Sequence, residues 1–217
     1  MNTGGIVLCG GKSTRMGVPK AGLMFGDETM LQRVVRLLGT VVSPIVVVAA
    51  RDQSLPELPA DIILTRDEQE ARGPLEGLRA GLKALPESID AAYVTSCDVP
   101  LLVPGFVRLM IDLLGDHDIA VIDIDGFAHP LSAVYRRTIL PHVEALLSDG
   151  RLRPAFLFDA LRTRRVRPSE VASVDPDLLT LRNLNTPEDY REALKQATGT
   201  APAARADTRA APDNSGT

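Results

Sequence analysis

A chain of 217 residues, 45% of them hydrophobic, is long enough to bury a core in one large domain and too apolar to be disordered throughout. Its 24 Lys and Arg against 28 Asp and Glu leave a formal charge of −4, and aromatics make up only 4%, with no Trp. That balance argues against a dedicated nucleic-acid binder, which carries a basic excess, and against a base-stacking platform. No apolar run approaches the ~20 residues of a membrane helix, and the N-terminus has neither the basic nor the long apolar region of a signal peptide. Cys9 and Cys97 are too few for a disulfide framework or a four-cysteine zinc site, and read as small buried hydrophobes in a reducing compartment. A soluble cytoplasmic domain without nucleic-acid or membrane partners is expected.

In chain order, Gly5 to Cys9 reads as a buried strand ended by Gly10-Gly11. From Met30 to Leu38, the residues Leu31, Val34, Val35 and Leu38 share a helical face. Strands follow at Ile45 to Ala50 and near Ile62 to Leu64, then a helix from about Leu75 to Leu85, stopped by Pro86. Ala92 to Ser96 is a further strand and Val107 to Leu114 a further helix. Strands alternating with helices at this spacing predict βαβ crossovers and a mainly parallel sheet covered on both faces.

The second half is less regular. Ile119 to Ile124 and Leu131 to Tyr135 read as strands, the latter entered through His129-Pro130, while Ile139 to Leu147 and Pro154 to Leu161 read as helices. Thr186-Pro187-Glu188-Asp189 is a helix start, with a capping hydroxyl, proline at the first helical position and acids at the positive end of the dipole. That helix is expected to reach about Gln196. Residues 197–217 carry no large apolar side chain, and a disordered tail is expected there, leaving residues 1–196 as one domain.

The stretch richest in chemistry is Leu8-Cys9-Gly10-Gly11-Lys12-Ser13-Thr14-Arg15-Met16-Gly17, with Lys20 close behind. A P-loop needs a glycine five residues before Gly11, where Ile6 stands, and the Rossmann fingerprint lacks its third glycine. Paired glycines at a strand's end still let backbone N–H groups approach an anion. Lys12, Arg15 and Lys20 add three positive charges, and no Asp or Glu occurs in residues 1–26. Composition leaves two readings open: a phosphate-binding loop, or an ordinary strand–helix turn with solvated basic residues. Asp98, after the apolar Tyr93-Val94, is likewise either a metal ligand at a strand's carboxyl end or a turn or cap aspartate.

Leu-x-Gly-Gly-x-x-x-Arg-Met-Gly followed by Lys resembles the signature of the GT-A-like nucleotidyltransferases, which activate small molecules with nucleoside triphosphates and release pyrophosphate. Within them the chain resembles the molybdenum cofactor guanylyltransferases of the MobA type. Four more segments carry the similarity in the family's order: Asp67 through Gly73-Pro74-Leu75-Glu76-Gly77-Leu78, then Cys97-Asp98-Val99-Pro100, His129-Pro130-Leu131, and Asn183-Leu184-Asn185-Thr186-Pro187-Glu188. The resemblance implies a single Rossmann-like three-layer αβα domain with a mainly parallel mixed sheet, of the nucleotide-diphospho-sugar transferase type. It implies transfer of GMP from GTP to molybdopterin, with Mg²⁺ as cofactor and cofactor-biosynthesis proteins or acceptor molybdoenzymes as partners.

By the same resemblance, Leu8, Cys9, Gly10, Gly11, Lys20, Asp67 and Asp98 would bind the nucleotide, Asp98 would hold the metal, and Arg15, Lys20 and Asp98 would act in catalysis. Arg15 would meet the outer phosphates or the leaving pyrophosphate, and Lys12 is as readily a solvated surface lysine. His129 would face the acceptor, and Asn183 and Asn185 the acceptor or the metal. His129 reads as a positioning or turn residue rather than a base, and Asn185 equally as a residue that satisfies backbone groups ahead of its helix. His117 and His142 read as structural. The family often has an asparagine after the second strand, where this chain reads Val48-Ala49-Ala50-Arg51. Two alternatives stand beside the main reading: a sibling enzyme using CTP or another acceptor such as a sugar phosphate, and a non-catalytic nucleotide sensor or cofactor carrier.

Overall fold

A computed structural model describes residues 1–10, 20–67 and 72–198. The expected tail lies, apart from its first two residues, outside the described residues. β1 (Thr3–Leu8) opens the chain; a 3-10 turn at Lys20–Gly22 precedes a hairpin of two-residue strands, β2 (Met24–Phe25) and β3 (Glu28–Thr29). There follow α1 (Met30–Gly39), β4 (Ile45–Ala49), β5 (Ile63–Arg66), α2 (Gly73–Ala84), β6 (Ala91–Ser96) and α3 (Pro104–Asp112). The second half holds β7 (Ile119–Ile124), β8 (Phe127–Arg136), α4 (Leu140–Ser148), α5 (Ala155–Ala160), β9 (Thr163–Val166), α6 (Pro168–Val171) and α7 (Pro187–Thr198). Among the described residues, no helix is long and apolar enough to cross a membrane.

The seven larger strands form one sheet in the order β5-β4-β1-β6-β8-β7-β9. All neighbours pair in parallel except β8, which runs against both β6 and β7. Alternation along the strands divides the core cleanly. Val7, Val47, Tyr93 and Ala120 face one side, against Leu31, Val34, Val35 and Leu38 of α1 and Phe106, Val107 and Met110 of α3. Ile6, Leu8, Val46, Val48 and Val94 face the other, against Leu75, Leu78 and Leu82 of α2 and the helices α4 and α5. The expected three layers are present, and each fully buried Leu, Val or Phe contributes ~1.5–3 kcal/mol.

Two local features fix where helices meet the sheet. The Thr29 hydroxyl accepts from the Gln32 N–H, and the Gln32 side chain accepts from the Thr29 N–H, so α1 starts in a closed capping box. On α2, a Cβ at Gly81 would lie 2.6 Å from Cγ2 of Ile6, and one at Gly77 would lie 3.1 Å from Leu8 side-chain carbons. Only glycine lets α2 sit this close to β1.

The strand expected from Leu131 begins instead at Phe127, and Pro130 lies inside it. The β7–β8 register shifts between Val121 and Asp123, so Pro130 occupies an irregular stretch where its missing N–H costs no ladder bond. The β6–β8 ladder runs only from Ala91↔Arg136 to Val94↔Ala133, and the two strands stop pairing before the end of β6. The β2–β3 hairpin, β9 and α6 had no signal in the apolar pattern. The hairpin strands hold two residues each, and β9 reads Thr-Arg-Arg-Val, an edge strand guarded by charge.

Candidate active site

From β1 the chain crosses to β4 on one side and later to β6 on the other, so strand order reverses between β1 and β6. In an open α/β sheet, the crevice beyond the carboxyl ends of two such strands is where ligands bind. Cys9-Gly10 leave β1 at that edge and Cys97-Asp98 leave β6 beside them, joined by the Cys97 N–H bonding to the Leu8 carbonyl at 3.1 Å.

At the mouth of this crevice four sequence-predicted residues come together. Lys20 Nζ donates to Asp98 Oδ2 at 2.8 Å and to Asn185 Oδ1 at 2.7 Å. Asp98 Oδ1 accepts from the Ser96 hydroxyl at 2.6 Å and from Asn183 Nδ2 at 3.4 Å. The Lys20 and Asp98 side chains are 16% and 13% exposed, enough shielding for the pair to interact more strongly than a surface ion pair. Ser96 carried no functional signal in the sequence beyond being a polar residue at the end of an apolar strand.

Each arm of this cluster is anchored in the core. Ala21 is fully buried next to Lys20, and the Leu23 N–H closes the turn on the Lys20 carbonyl at 3.1 Å. Leu184 is buried with Phe25, Met30, Leu101 and Ala193, and its N–H donates to the Asp98 carbonyl at 2.9 Å, so the flanking Asn183 and Asn185 are carried to the site. The Asn185 and Thr186 N–H groups both bond to the Asp189 carboxylate at the start of α7, at 3.1 and 2.9 Å. The Asn185 side chain accepts from Lys20 rather than satisfying backbone groups ahead of α7, and its own N–H is satisfied by Asp189. Arg33 lies over the Phe25 ring, 5.1 Å from its centroid, and donates to the Pro100 carbonyl at 2.7 Å, holding the loop after Asp98 against α1.

Asp67 stands on the other flank. Its N–H bonds to the Ala49 carbonyl at 2.9 Å, and a Cβ on Gly10 would come within 3.1 Å of its Oδ2. Its Oδ1 is buried and has no hydrogen-bond partner among the described residues. Burial, and then the nearby Glu76 carboxylate, push the Asp67 carboxyl above the usual carboxylate range, with Arg79 opposing them. Glu76 and Arg79 are themselves buried and form a two-point pair, Nε to Oε2 at 3.1 Å and an Nη to Oε1 at 2.7 Å. A buried carboxylate oxygen without a partner, at the rim of a ligand crevice, is suited to accept an N–H donor from a bound molecule.

Just beyond Val48-Ala49-Ala50-Arg51, a polar side chain turns toward β1. Gln53 folds back from the loop after β4, donating to the Cys9 carbonyl at 3.0 Å and accepting from the Ala50 N–H at 3.1 Å. His129 lies half-buried on β8, with no hydrogen bond to Lys20 or Asp98 among the described residues; burial lowers its pKa and Asp123 partly offsets this. A neutral imidazole fits a positioning role. The neighbouring Cys97 side chain, and then burial, hold the Cys9 thiol well above the ordinary thiol range, so Cys9 contributes its backbone rather than a thiolate. Gly11, Lys12 and Arg15 lie outside the described residues.

Among the described residues no three His, Cys, Asp or Glu side chains converge on a metal position. Asp98 Oδ2 and Asn185 Oδ1 nevertheless both close on one cation, the Lys20 ammonium. Hard oxygen donors arranged around a positive charge suit a divalent cation that takes its remaining ligands from phosphates and water.

Residues 5–165 match the MobA-like NTP transferase domain. The chain is 34% identical over 191 residues to the molybdenum cofactor guanylyltransferase of Desulfosudis oleivorans, covering 87% of this chain and 93% of that protein. It is 37% identical over 201 residues to a probable molybdenum cofactor guanylyltransferase of Mycobacterium avium, covering 91% and 97%. The fold is shared with the crystal structure of molybdopterin-guanine dinucleotide biosynthesis protein A from Archaeoglobus fulgidus, at a TM-score of 0.75 and 18% identity over 92% of this chain and all of that one. With a family match spanning most of its length and relatives above 30% identity along nearly all of theirs, this chain belongs to the MobA-like NTP transferases.

Proposed function

We propose that this protein transfers the GMP moiety of GTP to molybdopterin, forming the guanine dinucleotide form of the molybdenum cofactor and releasing pyrophosphate. The observation that carries the reading is the Lys20–Asp98–Asn185 cluster at the strand-order reversal, in a chain whose full-length relatives are named for this activity. The reading places the protein in the cytoplasm, where Cys9 and Cys97 stay reduced.

A terminal phosphate oxygen of the pterin attacks the α-phosphorus of GTP in line; the bond from that phosphorus to the β-phosphate oxygen breaks, and pyrophosphate leaves with the electron pair. A phosphate monoester is anionic near neutral pH, so the step needs no strong general base, and His129 can remain neutral. The protein's work is positioning and charge neutralisation. Lys20 has three N–H donors, of which Asp98 and Asn185 hold two, leaving the third for a phosphate oxygen. Gly10, Gly11 and Arg15 would line the phosphate side, Leu8, Cys9 and Asp67 the nucleoside side, and His129 with Asn183 the acceptor side. Mg²⁺, held by Asp98, would supply neutralisation of the phosphate charge.

The deciding experiment is pyrophosphate release from each of the four NTPs, with and without molybdopterin and Mg²⁺. GTP with molybdopterin should be turned over faster than any other pair. Turnover of CTP in preference to GTP would replace the reading with that of a cytidylyltransferase, and absence of turnover with nucleotide binding intact would make the protein a sensor or carrier.

A further inference from the structure

At the end of β1 one peptide group differs from its neighbours in its hydrogen bonds. The Leu8 carbonyl accepts from the Cys97 N–H at 3.1 Å, and the Cys9 N–H donates to the Val48 carbonyl at 2.8 Å. The Cys9 carbonyl is taken by the Gln53 side-chain amide at 3.0 Å. The next group along is the N–H of Gly10, an exposed residue, and it has no partner among the described residues. The Cys9–Gly10 peptide is planar and trans, so its C=O and N–H point in opposite directions. Gln53, by holding the carbonyl, fixes the direction of the N–H.

Gln53 is itself held. Its Oε1 accepts from the Ala50 N–H at 3.1 Å, so the amide orientation is set by two bonds. One terminal nitrogen of Arg66 reaches the carbonyls of Ala50, Arg51 and Gln53 at 2.7, 2.8 and 3.1 Å, pinning the whole turn to the end of β5. The residue after Arg66 is Asp67, whose Oδ2 lies against Gly10 and whose Oδ1 is the buried acceptor without a partner. The same turn therefore fixes a donor, Gly10 N–H, beside an acceptor, Asp67.

We infer that Gln53 is a positioning residue for nucleotide binding: through the Cys9 carbonyl it aims the Gly10 N–H at the bound nucleoside triphosphate, next to Asp67. This rests on the assignment of GTP to the crevice between β1 and β6. A group that acts by orienting a ground-state contact alters KM far more than kcat. Gln53 also borders an open groove of about 560 Å³ lined by Leu55, Leu58, Ile62 and Leu64, so replacing its side chain does not hollow a closed core.

The test uses the full-length protein with Gln53→Met, which removes both bonds, and Gln53→Glu, which keeps the acceptor for Ala50 but loses the donor to Cys9. Wild-type protein is first assayed with all four NTPs; if GTP is not its substrate, the assignment of function fails, and the Gln53 variants are compared by equilibrium dialysis with the NTP it does bind. Each variant is expected to raise KM, or Kd, for the nucleotide about tenfold, the worth of one oriented hydrogen bond, with a much smaller change in kcat and none in KM for the acceptor. An unchanged nucleotide KM overturns the proposal. So does a loss shared equally by nucleotide KM, acceptor KM and melting temperature, or failure of both variants to fold, since each assigns Gln53 to the scaffold.

Discussion

At the scale of single residues, the charges at the crevice are matched, and Lys20 keeps one of its three N–H donors for a ligand. Lys20 is bound to Asp98 and Asn185, and Asp98 is also held by Ser96 and Asn183. Asp98→Asn keeps the shape but loses the charge; pyrophosphate release should fall ~100-fold or more, with the melting temperature within a few degrees of wild type. Lys20→Met should behave alike in turnover. Asp67 makes a pH prediction. Its raised pKa means that the folded protein keeps a proton which the unfolded chain has already released, so this group lowers stability as pH rises from the ordinary carboxylate range through its own value. Asp67→Asn should remove that slope from urea midpoints measured between pH 4 and 7, and should weaken GTP binding most at the upper end, where wild type is ionised.

Elements are set by local rules that the chain spells out, and their exceptions are where charge or brevity hides them. The α1 face of Leu31, Val34, Val35 and Leu38 is legible from spacing, and the structure adds its start in the Thr29–Gln32 capping box. Thr29→Ala opens the capping box and should cost about 1 kcal/mol in chemical denaturation. By contrast β9 is three-quarters polar, and its place at the sheet edge is visible only through partners: Arg164 pairs with Glu170 and Arg165 with Asp123 at 2.6 Å. Glycines in α2 would lower its helix propensity in isolation, yet Gly77 and Gly81 are what let it lie on Leu8 and Ile6. Gly81→Val should destabilise by ~1–3 kcal/mol through overpacking against Ile6, seen as a lower denaturation midpoint.

Across the whole molecule, the sheet order decides what the local elements are for. β1 and β6 are adjacent and lie on either side of the reversal, so Gly10 and Asp98, far apart in sequence, come to border one crevice. The third apolar cluster, Phe25, Met30, Leu101, Leu184 and Ala193, then locks the β2–β3 hairpin and α7 over it, with the Phe25 and Tyr190 rings edge to face at 6.0 Å. Residues 199–217 carry no large apolar side chain. A chain ended at Thr198 is therefore expected to melt with the full-length protein and to keep its turnover, measured side by side.

The sequence by itself determined the two covered faces of the sheet and the boundaries of most helices, because apolar period and caps are local properties; Lys20, Asp98 and Asn185 stood out only through the family resemblance. Tertiary structure alone decided that Lys20 meets Asp98 across 78 positions and Asn185 across 165, that Ser96 backs Asp98, and that Gln53 takes the Cys9 carbonyl. Those contacts depend on strand order and on which backbone groups the ladder leaves unpaired, and neither is written in any window of neighbouring residues. The basic stretch that stood out in an acidic chain was legible; the oxygens that gather around its last lysine were not.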